Sequence, residues 1–307
     1  MGNKSLRKDL IYFMGKIYTI NDFLKNHFGE KVVKLSLDGN FTCPNRDGKA
    51  GYGGCIFCSS QGSGELASDI PTQMELLSKK WPNINKFLAY FQSHTSTYAP
   101  VEQLRKQYYD ALAQDKICGI VIATRPDCLG DDVLELLAEI KKDHFIWVEM
   151  GLQTIHEDTA KLINRCYPLS VYDKAVADLN KLGIPYVTHL ILGLPGESRQ
   201  DMFDSVRYVC QNNIFGIKLH MLNVVKDSPL ERMYPGYTSF ESPQEYINLV
   251  CDLLEIIPPD ITIHRMTGDV PRPLLISPEW SYKKRTILNG IQKELKERGS
   301  YQGCKLK

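Results

Sequence analysis

The chain has 307 residues, 43% of them apolar and 24% charged, which excludes wholesale disorder and leaves ample material for one large α/β domain or a core with extensions. No apolar run is long enough to span a bilayer. The start, MGNKSLRKDLIYFMGK, lacks the apolar core and cleavage site of a secretory signal, so a cytoplasmic protein with no membrane partner is expected. The net charge of +1 is unevenly spread. Residues 1–50 carry nine Lys/Arg against five Asp/Glu, and residues 279–307 carry eight against three, leaving −8 between them. Basic ends of this kind suit a polyanion gripped from the termini, or are two solvated surface segments.

From residue 31 the chain alternates short apolar or β-branched runs with helix-like stretches. Strands are expected at Lys31–Leu37, Lys86–Phe91, Ile117–Ala123, Phe145–Gly151, Ile184–Leu192 and Phe215–Leu222. Amphipathic helices are expected at Val101–Ala113, Asp131–Lys142, Val171–Leu182 and Arg199–Gln211; in the last, Met202, Val206 and Val209 fall at helical spacing. Six strand-then-helix units predict a parallel sheet with right-handed crossovers, either open and doubly wound or a partial barrel. In both, functional groups gather at the C-terminal ends of the strands. Beyond residue 225 the alternation fades: Pro243–Ile257 reads as helix, Ile261–His264 as a late strand and Lys283–Arg298 as helix. The expected division is an N-terminal extension 1–30, a core 31–225 and a C-terminal extension 226–307.

Nine cysteines in a chain without an export signal point to metal binding or chemistry rather than disulfides. Six are scattered singly, the usual pattern of buried small hydrophobes. The other three, Cys43, Cys55 and Cys58, share the loop after the first strand, where five glycines lie between residues 48 and 62. Glycine lets a backbone turn tightly and approach a bulky ligand. Three thiolates can bind three irons of a 4Fe–4S cube and leave the fourth open. A structural zinc site wants four ligands; His27 or His94 would have to complete one.

A three-cysteine motif with an aromatic residue before its last cysteine, after the first strand of a (β/α) array, resembles the radical S-adenosylmethionine (SAM) superfamily. The wide spacing from Cys43 to Cys55 resembles the subgroup of the Elongator catalytic subunit, which modifies wobble uridines in tRNA. The whole chain, including SerTyrLysLysArgThrIleLeuAsn near its end, is similar to the bacterial YhcC/YtqA-type subfamily of that group. The resemblance implies a partial (β/α)6 TIM-like barrel, a 4Fe–4S cluster and SAM as cofactors, and an electron donor such as flavodoxin or ferredoxin. The open iron would chelate SAM and pass it one electron, and the radical so formed would take a hydrogen atom from substrate.

The resemblance also implies site residues. Phe57 would present backbone atoms to adenine. Gln153, in GluMetGlyLeuGlnThr, matches a position that contacts SAM. Arg165 matches an arginine that pairs with the SAM carboxylate, a natural use of the guanidinium fork. GlyLeuProGlyGlu at 193–197 resembles the loop after the fifth strand. Three departures stand out. PheGlnSerHisThr replaces a glycine-rich stretch that binds the methionyl amine, so Ser93, His94 or Thr95 must serve there. Ala123 stands where a glutamate is common, and His189 where an aspartate contacts the ribose.

The implied substrate is tRNA, and the implied task is remodelling the C5 side chain of wobble uridine, turning carboxymethylaminomethyl into aminomethyl. A radical SAM enzyme acting on a small-molecule precursor such as a tetrapyrrole is one alternative; a non-catalytic zinc-stabilised RNA-binding module is another. For RNA contact, Lys283, Lys284, Arg285, Lys293, Lys296 and Arg298 offer cations, while Trp280 and Tyr282 offer rings that could stack on exposed bases.

Overall fold

The computed structural model describes residues 16–59, 61–62 and 64–306. The part of the basic N-terminal end carried by residues 1–15 lies outside the described residues. The chain forms two compact units. One comprises Leu24–Leu152 and Ala160–Val187; the other comprises the described part of Met1–Phe23 with Gln153–Thr159 and Thr188–Lys307.

In the first unit, α1 (Ile20–Phe28, from Leu24 on) leads to β1 (Val32–Leu37), α2 (Ile70–Lys80), β2 (Lys86–Phe91), α3 (Val101–Leu112), β3 (Ile117–Thr124), α4 (Asp131–Asp143) and β4 (Phe145–Gln153, up to Leu152). After α5 (Glu157–Leu162) comes α6 (Leu169–Leu182). Strands β1 to β4 pair in chain order, all parallel. Their register sorts the side chains onto two faces, because alternate residues of a strand point oppositely. One face carries the rows Leu35, Ala89, Ile120, Ile146 and Leu37, Phe91, Ile122, Val148, every one buried. Helices cover this face: Tyr108 of α3 packs on Phe91 with ring centroids 5.3 Å apart. Each such Leu or Ile contributes about 1.5–3 kcal/mol by burial.

The opposite face is mixed, with rows Lys34, Leu88, Gly119, Phe145 and Ser36, Tyr90, Val121, Trp147, then Ala123 beside Glu149. Glu149 is fully buried there. It accepts hydrogen bonds from the Tyr90 hydroxyl at 2.6 Å, Trp147 Nε1 at 3.1 Å and Lys34 Nζ at 3.4 Å. His27 and Phe28 of α1 pack against Phe145, the first residue of β4, with centroids 4.8 and 5.2 Å away. The C-terminal strand ends are thereby left to the loops.

In the second unit, β5 (Tyr186–Leu192, from Thr188 on) precedes α7 (Arg199–Cys210), β6 (Gly216–Met221), β7 (Val224–Val225), α8 (Pro229–Met233), α9 (Pro243–Leu254), β8 (Thr262–Arg265), β9 (Leu275–Ser277) and α10 (Lys284–Glu297). Helix α7 starts at a capping box between Ser198 and Asp201. The late strand expected near residue 261 is β8, and it pairs in parallel with β6, adding a strand to the six units read from the alternation. The edge of β8 meets Tyr18 and Thr19: Ile263 N donates to Tyr18 O at 2.8 Å, and Thr19 bridges Ile263. Buried Gln302 holds this junction. It accepts from Tyr18 N at 2.9 Å and donates to Pro258 O and Ile261 O, both at 2.8 Å. Strands β7 and β9 form a separate antiparallel pair.

Candidate active site

The loop from Cys43 to Cys58 is built mainly by its own backbone. Arg46 N donates to Cys43 O at 2.8 Å, Ala50 N to Pro44 O at 2.8 Å, Gly54 N to Asn45 O at 2.8 Å and Cys58 N to Cys55 O at 3.0 Å. Two polar side chains turn into it. Asn45, fully buried, donates to Asn164 O and lies 3.5 Å from Cys55 Sγ. Arg46 donates to Ser59 O, and its Nη2 lies 3.3 Å from Cys58 Sγ. The stretch after α5 closes the loop from outside. Ile56 N donates to Ile163 O at 3.1 Å, and Asn164 Nδ2 to Tyr52 O at 3.0 Å and Gly54 O at 2.8 Å. Gly51 is required by this closure: a Cβ there would stand 2.3 Å from Asn45 Oδ1 and 2.7 Å from Cys166 Sγ.

Burial pushes the Cys55 thiol up to about 12, and the neighbouring Cys58 charge adds to it, while Arg125 and the Asn45 amide oppose. Cys58 is raised too, first by burial, with Arg46 opposing. Buried thiols that repel one another as anions need a cation between them to ionise.

The turn after β2 joins this loop. Thr95 N donates to Thr42 O at 3.2 Å and His94 N to Gly62 O at 3.0 Å. His94 adopts a left-handed φ of 56°. Ser93 Oγ and His94 Nδ1 are buried without a hydrogen-bond partner among the described residues. Burial and then the Arg46 charge hold the His94 imidazole below its ordinary range, so it is neutral at pH 7. Gly62 and Gly64 close over these side chains: a Cβ would stand 2.4 Å from His94 Nδ1 and 2.2 Å from Ser93 Oγ, respectively.

Two arginines complete the unit. Arg165 is fully buried and donates to Tyr167 O at 3.0 Å and Leu152 O at 3.1 Å. It is thus no ordinary surface residue. Arg125 is paired twice with Asp127, at 2.9 and 2.8 Å. Both guanidiniums lie against the Tyr167 ring, at 4.6 and 4.9 Å from its centroid. Phe57 is half-buried between Ile56 and Cys58. A cavity of ≈ 610 Å³ opens beside the loop, lined by Pro44, Lys49, Thr97, Tyr98, Asp127 and Cys128 among others.

The remaining expected residues lie in the second unit. Gln153 is half-buried with a left-handed φ of 67°. After it, Thr154 is fully buried and accepts from His156 N at 3.1 Å. Glu197 of the 193–197 loop is raised by burial, with hydrogen bonding to Thr154 opposing. His189 stands 5.0 Å from the ring of His220.

The structure thus gathers Cys43, Cys55, Cys58, Ser93, His94, Thr95 and Arg165 within one unit. Asn45, Arg46 and Tyr167 were missed by reasoning from the sequence. Asn45 and Arg46 carried one signal, their place inside a cysteine-bounded loop.

A family model described as the Radical SAM superfamily matches residues 43–209, and one described as the Radical_SAM C-terminal domain matches residues 214–297. The chain belongs to the radical SAM superfamily. It is 48% identical over 297 residues to the uncharacterized protein YtqA of Bacillus subtilis (strain 168), covering 94% of this chain and 92% of that one. To protein YhcC of Escherichia coli (strain K12) it is 36% identical over 281 residues, covering 90% and 91%. A tRNA uridine(34) acetyltransferase of Dehalococcoides mccartyi (strain CBDB1) is 27% identical over 198 residues, 63% of this chain and 41% of that protein. Among solved structures, the archaeal Methanocaldococcus infernus Elp3 with an N-terminal deletion matches with a TM-score of 0.65 at 16% identity, covering 88% of this chain and 64% of that one. At that identity the likeness is one of fold, the partial barrel of the superfamily.

Radical SAM enzymes use a 4Fe–4S cluster and SAM. The cysteine loop fits a cluster. It offers buried thiols that need a cation, and each of two arginines lowers the cost of one thiolate. The polar atoms of Ser93 and His94 fit a polar ligand beside it. The zinc-stabilised, non-catalytic module is overturned by the family. His27, offered as a zinc ligand, packs instead among Phe28 and Phe145. Among the described residues no three His, Cys, Asp or Glu side chains converge on a single ion. A cube, in contrast, spreads its thiolates over three irons.

Proposed function

We propose that this enzyme remodels the C5 side chain of wobble uridine in tRNA, converting carboxymethylaminomethyl to aminomethyl, with its cluster held by Cys43, Cys55 and Cys58. The observation that carries the tRNA reading is the 63% of this chain that aligns with a tRNA uridine(34) acetyltransferase. The Elongator complex protein 3 of Schizosaccharomyces pombe (strain 972 / ATCC 24843), 29% identical over 175 residues, supports it.

In this reading each residue has a stated task. Arg46 and Arg125 offset the thiolate charges beside them. Two backbone carbonyls fix the plane of Arg165, which presents its guanidinium to the SAM carboxylate. Ser93 Oγ and the neutral His94 imidazole take the methionyl amine, with Thr95 behind them. Phe57 lends backbone atoms to the adenine. When bound, the cluster and SAM supply hydrogen-atom abstraction from the substrate. An electron donor such as flavodoxin or ferredoxin supplies the electron.

The test is nucleoside analysis of tRNA from cells lacking the gene. Carboxymethylaminomethyluridine should accumulate at the expense of aminomethyluridine. The intact gene should reverse this, and a Cys58→Ala copy should not. An unchanged nucleoside profile would sink the tRNA reading and leave the small-molecule alternative.

A further inference from the structure

The C-terminal segment carries cations and rings, and the structure separates those it uses internally from those it exposes. In the back half of α10, Lys293 and Arg298 are paired with carboxylates, while Lys296 is exposed and, among the described residues, makes no ion pair. Arg298 binds Glu294 at 2.8 Å and Asp252 at 2.6 Å, and Lys293 binds Glu297 at 3.7 Å. Lys284 is 3.2 Å from Asp269. Trp280 is turned inward, its ring centroid 6.2 Å from that of Tyr246 and its Nε1 buried, so it is not a surface ring. The expectation that all these residues offer themselves to RNA is corrected for Trp280, Lys284, Lys293 and Arg298.

Apart from Lys296 farther along α10, what remains lies around Tyr282. Tyr282 is 43% exposed. The Arg272 guanidinium lies 4.5 Å from its ring centroid and Lys283 Nζ 5.8 Å from it. Arg272, Lys283 and Arg285 are exposed, and among the described residues none is within ion-pair distance of a carboxylate. The platform is also rigidly held. Trp280 and Ser281 anchor the turn that carries Tyr282, with Asn223 Nδ2 donating to Ser281 Oγ at 2.6 Å. The loop before Arg272 is pinned where Tyr246 donates to Met266 O at 3.0 Å. A solvated helix face does not account for the pattern: cations in the first turn of α10 oppose the helix dipole and weaken the helix.

We propose that Arg272, Tyr282, Lys283 and Arg285 form the platform on which this enzyme holds single-stranded nucleotides of its RNA substrate. A base stacks on the Tyr282–Arg272 surface, and the lysine and arginine beside it neutralise phosphates. Any base has a π-face and every nucleotide a phosphate, so the platform gives grip rather than sequence choice. The proposal rests on the tRNA reading above.

The test uses the cluster-loaded enzyme and a transcript of an anticodon stem-loop with uridine at the wobble position. Tyr282→Ala should weaken binding roughly 5- to 150-fold, the range of one base stack. Tyr282→Phe should restore most of it. With about two phosphates neutralised, log K should fall against log salt with a slope of about −1.4 to −1.8, and Lys283→Ala with Arg285→Ala should remove most of that slope. Lys293→Ala should bind as wild type does. Substrate-free SAM cleavage should be unchanged in every variant, and Tyr282→Ala and the Lys283→Ala, Arg285→Ala pair should not lower the melting temperature. If wild type binds the stem-loop and Tyr282→Ala binds equally well, the platform is wrong and the tRNA reading survives. No binding by wild type would overturn both. Slower reduction of the variants by flavodoxin with RNA affinity intact would assign the surface to the electron donor and overturn the proposal.

Discussion

In the cysteine loop, polar side chains turn inward: Asn45 and Arg46 spend their donors on the thiols of Cys55 and Cys58 and on the carbonyls of Asn164 and Ser59. Around the start of α10 they turn outward, and Arg272 and Lys283 gather on an exposed ring. The first arrangement suits a small ligand enclosed for good, because the compensating charges of Arg46 and Arg125 are built in beside the thiols. The second suits a large polyanion that arrives with its own charges and leaves again. The prediction that separates them most is loss of the cluster. Reconstituted wild type should hold about four irons and four sulfides per chain. Cys43→Ala, Cys55→Ala or Cys58→Ala should lose nearly all of them and all SAM cleavage, whereas Tyr282→Ala should lose none. Full SAM cleavage by Cys58→Ala would end the assignment.

The next largest effect should come from the sheet of the same unit. Glu149 is enclosed by Tyr90, Trp147 and Lys34, and removing its charge leaves the partly buried Lys34 with only the Tyr90 and Trp147 rings, 4.7 and 5.6 Å away. Glu149→Gln should therefore lower unfolding free energy by about 2 kcal/mol, discounted from the fully buried case because Lys34 keeps some solvent. A Lys34→Met, Glu149→Gln double variant should recover part of the loss. Urea denaturation measures both, and additive losses would show that the pair is not coupled.

Much of this was legible in the sequence. The β-branched and apolar runs located β2 to the residue, since an apolar strand bounded by polar residues has few competing registers. The cysteines were legible because their spacing encodes a covalent requirement. Helix α2 was not: Pro71 near its start and exposed Leu76 spoil its apolar stripe, and its start depends on Asp69 capping Thr72 N. The pair β7–β9 was missed because strands of two and three residues carry no period. Trp280 was read as a stacking ring because composition does not say which way a ring points. The partners of Lys284 and Arg298 at Asp269 and Asp252 were invisible for a similar reason, being set by tertiary packing.

The SAM pocket is tested by Arg165. A buried, charge-assisted hydrogen bond contributes on the order of 1.5–3 kcal/mol, so Arg165→Ala should weaken SAM binding by roughly 10- to 150-fold at unchanged iron content. Isothermal titration with SAM on anaerobic protein reads this directly. Normal SAM affinity would leave Arg165 with a structural task only, holding Tyr167 and Leu152.

The smallest expected effect concerns the back half of α10, where the comparison is between cations kept for the fold and cations offered to a ligand. Burial alone would raise the Glu255 carboxyl. Hydrogen bonds from Lys305 and Ser300, and the charges of Lys305 and Arg298, outweigh burial and hold it below the ordinary carboxylate range. Lys305 Nζ stands 2.5 Å and Arg298 Nη1 3.6 Å from its oxygens. A carboxyl whose folded value is depressed stabilises the fold above its unfolded value, near 4.3, and that contribution is lost as pH falls through the folded value. The stability difference between wild type and Glu255→Gln, measured by urea unfolding of cluster-free protein, should be constant above about pH 5 and shrink below it. RNA affinity should be unchanged, because the variant touches neither Arg272 nor Tyr282. A gap that persists unchanged to pH 3.5 would mean the glutamate acts through shape rather than charge. A fall in RNA affinity would mean that the two halves of α10 are not separate in function.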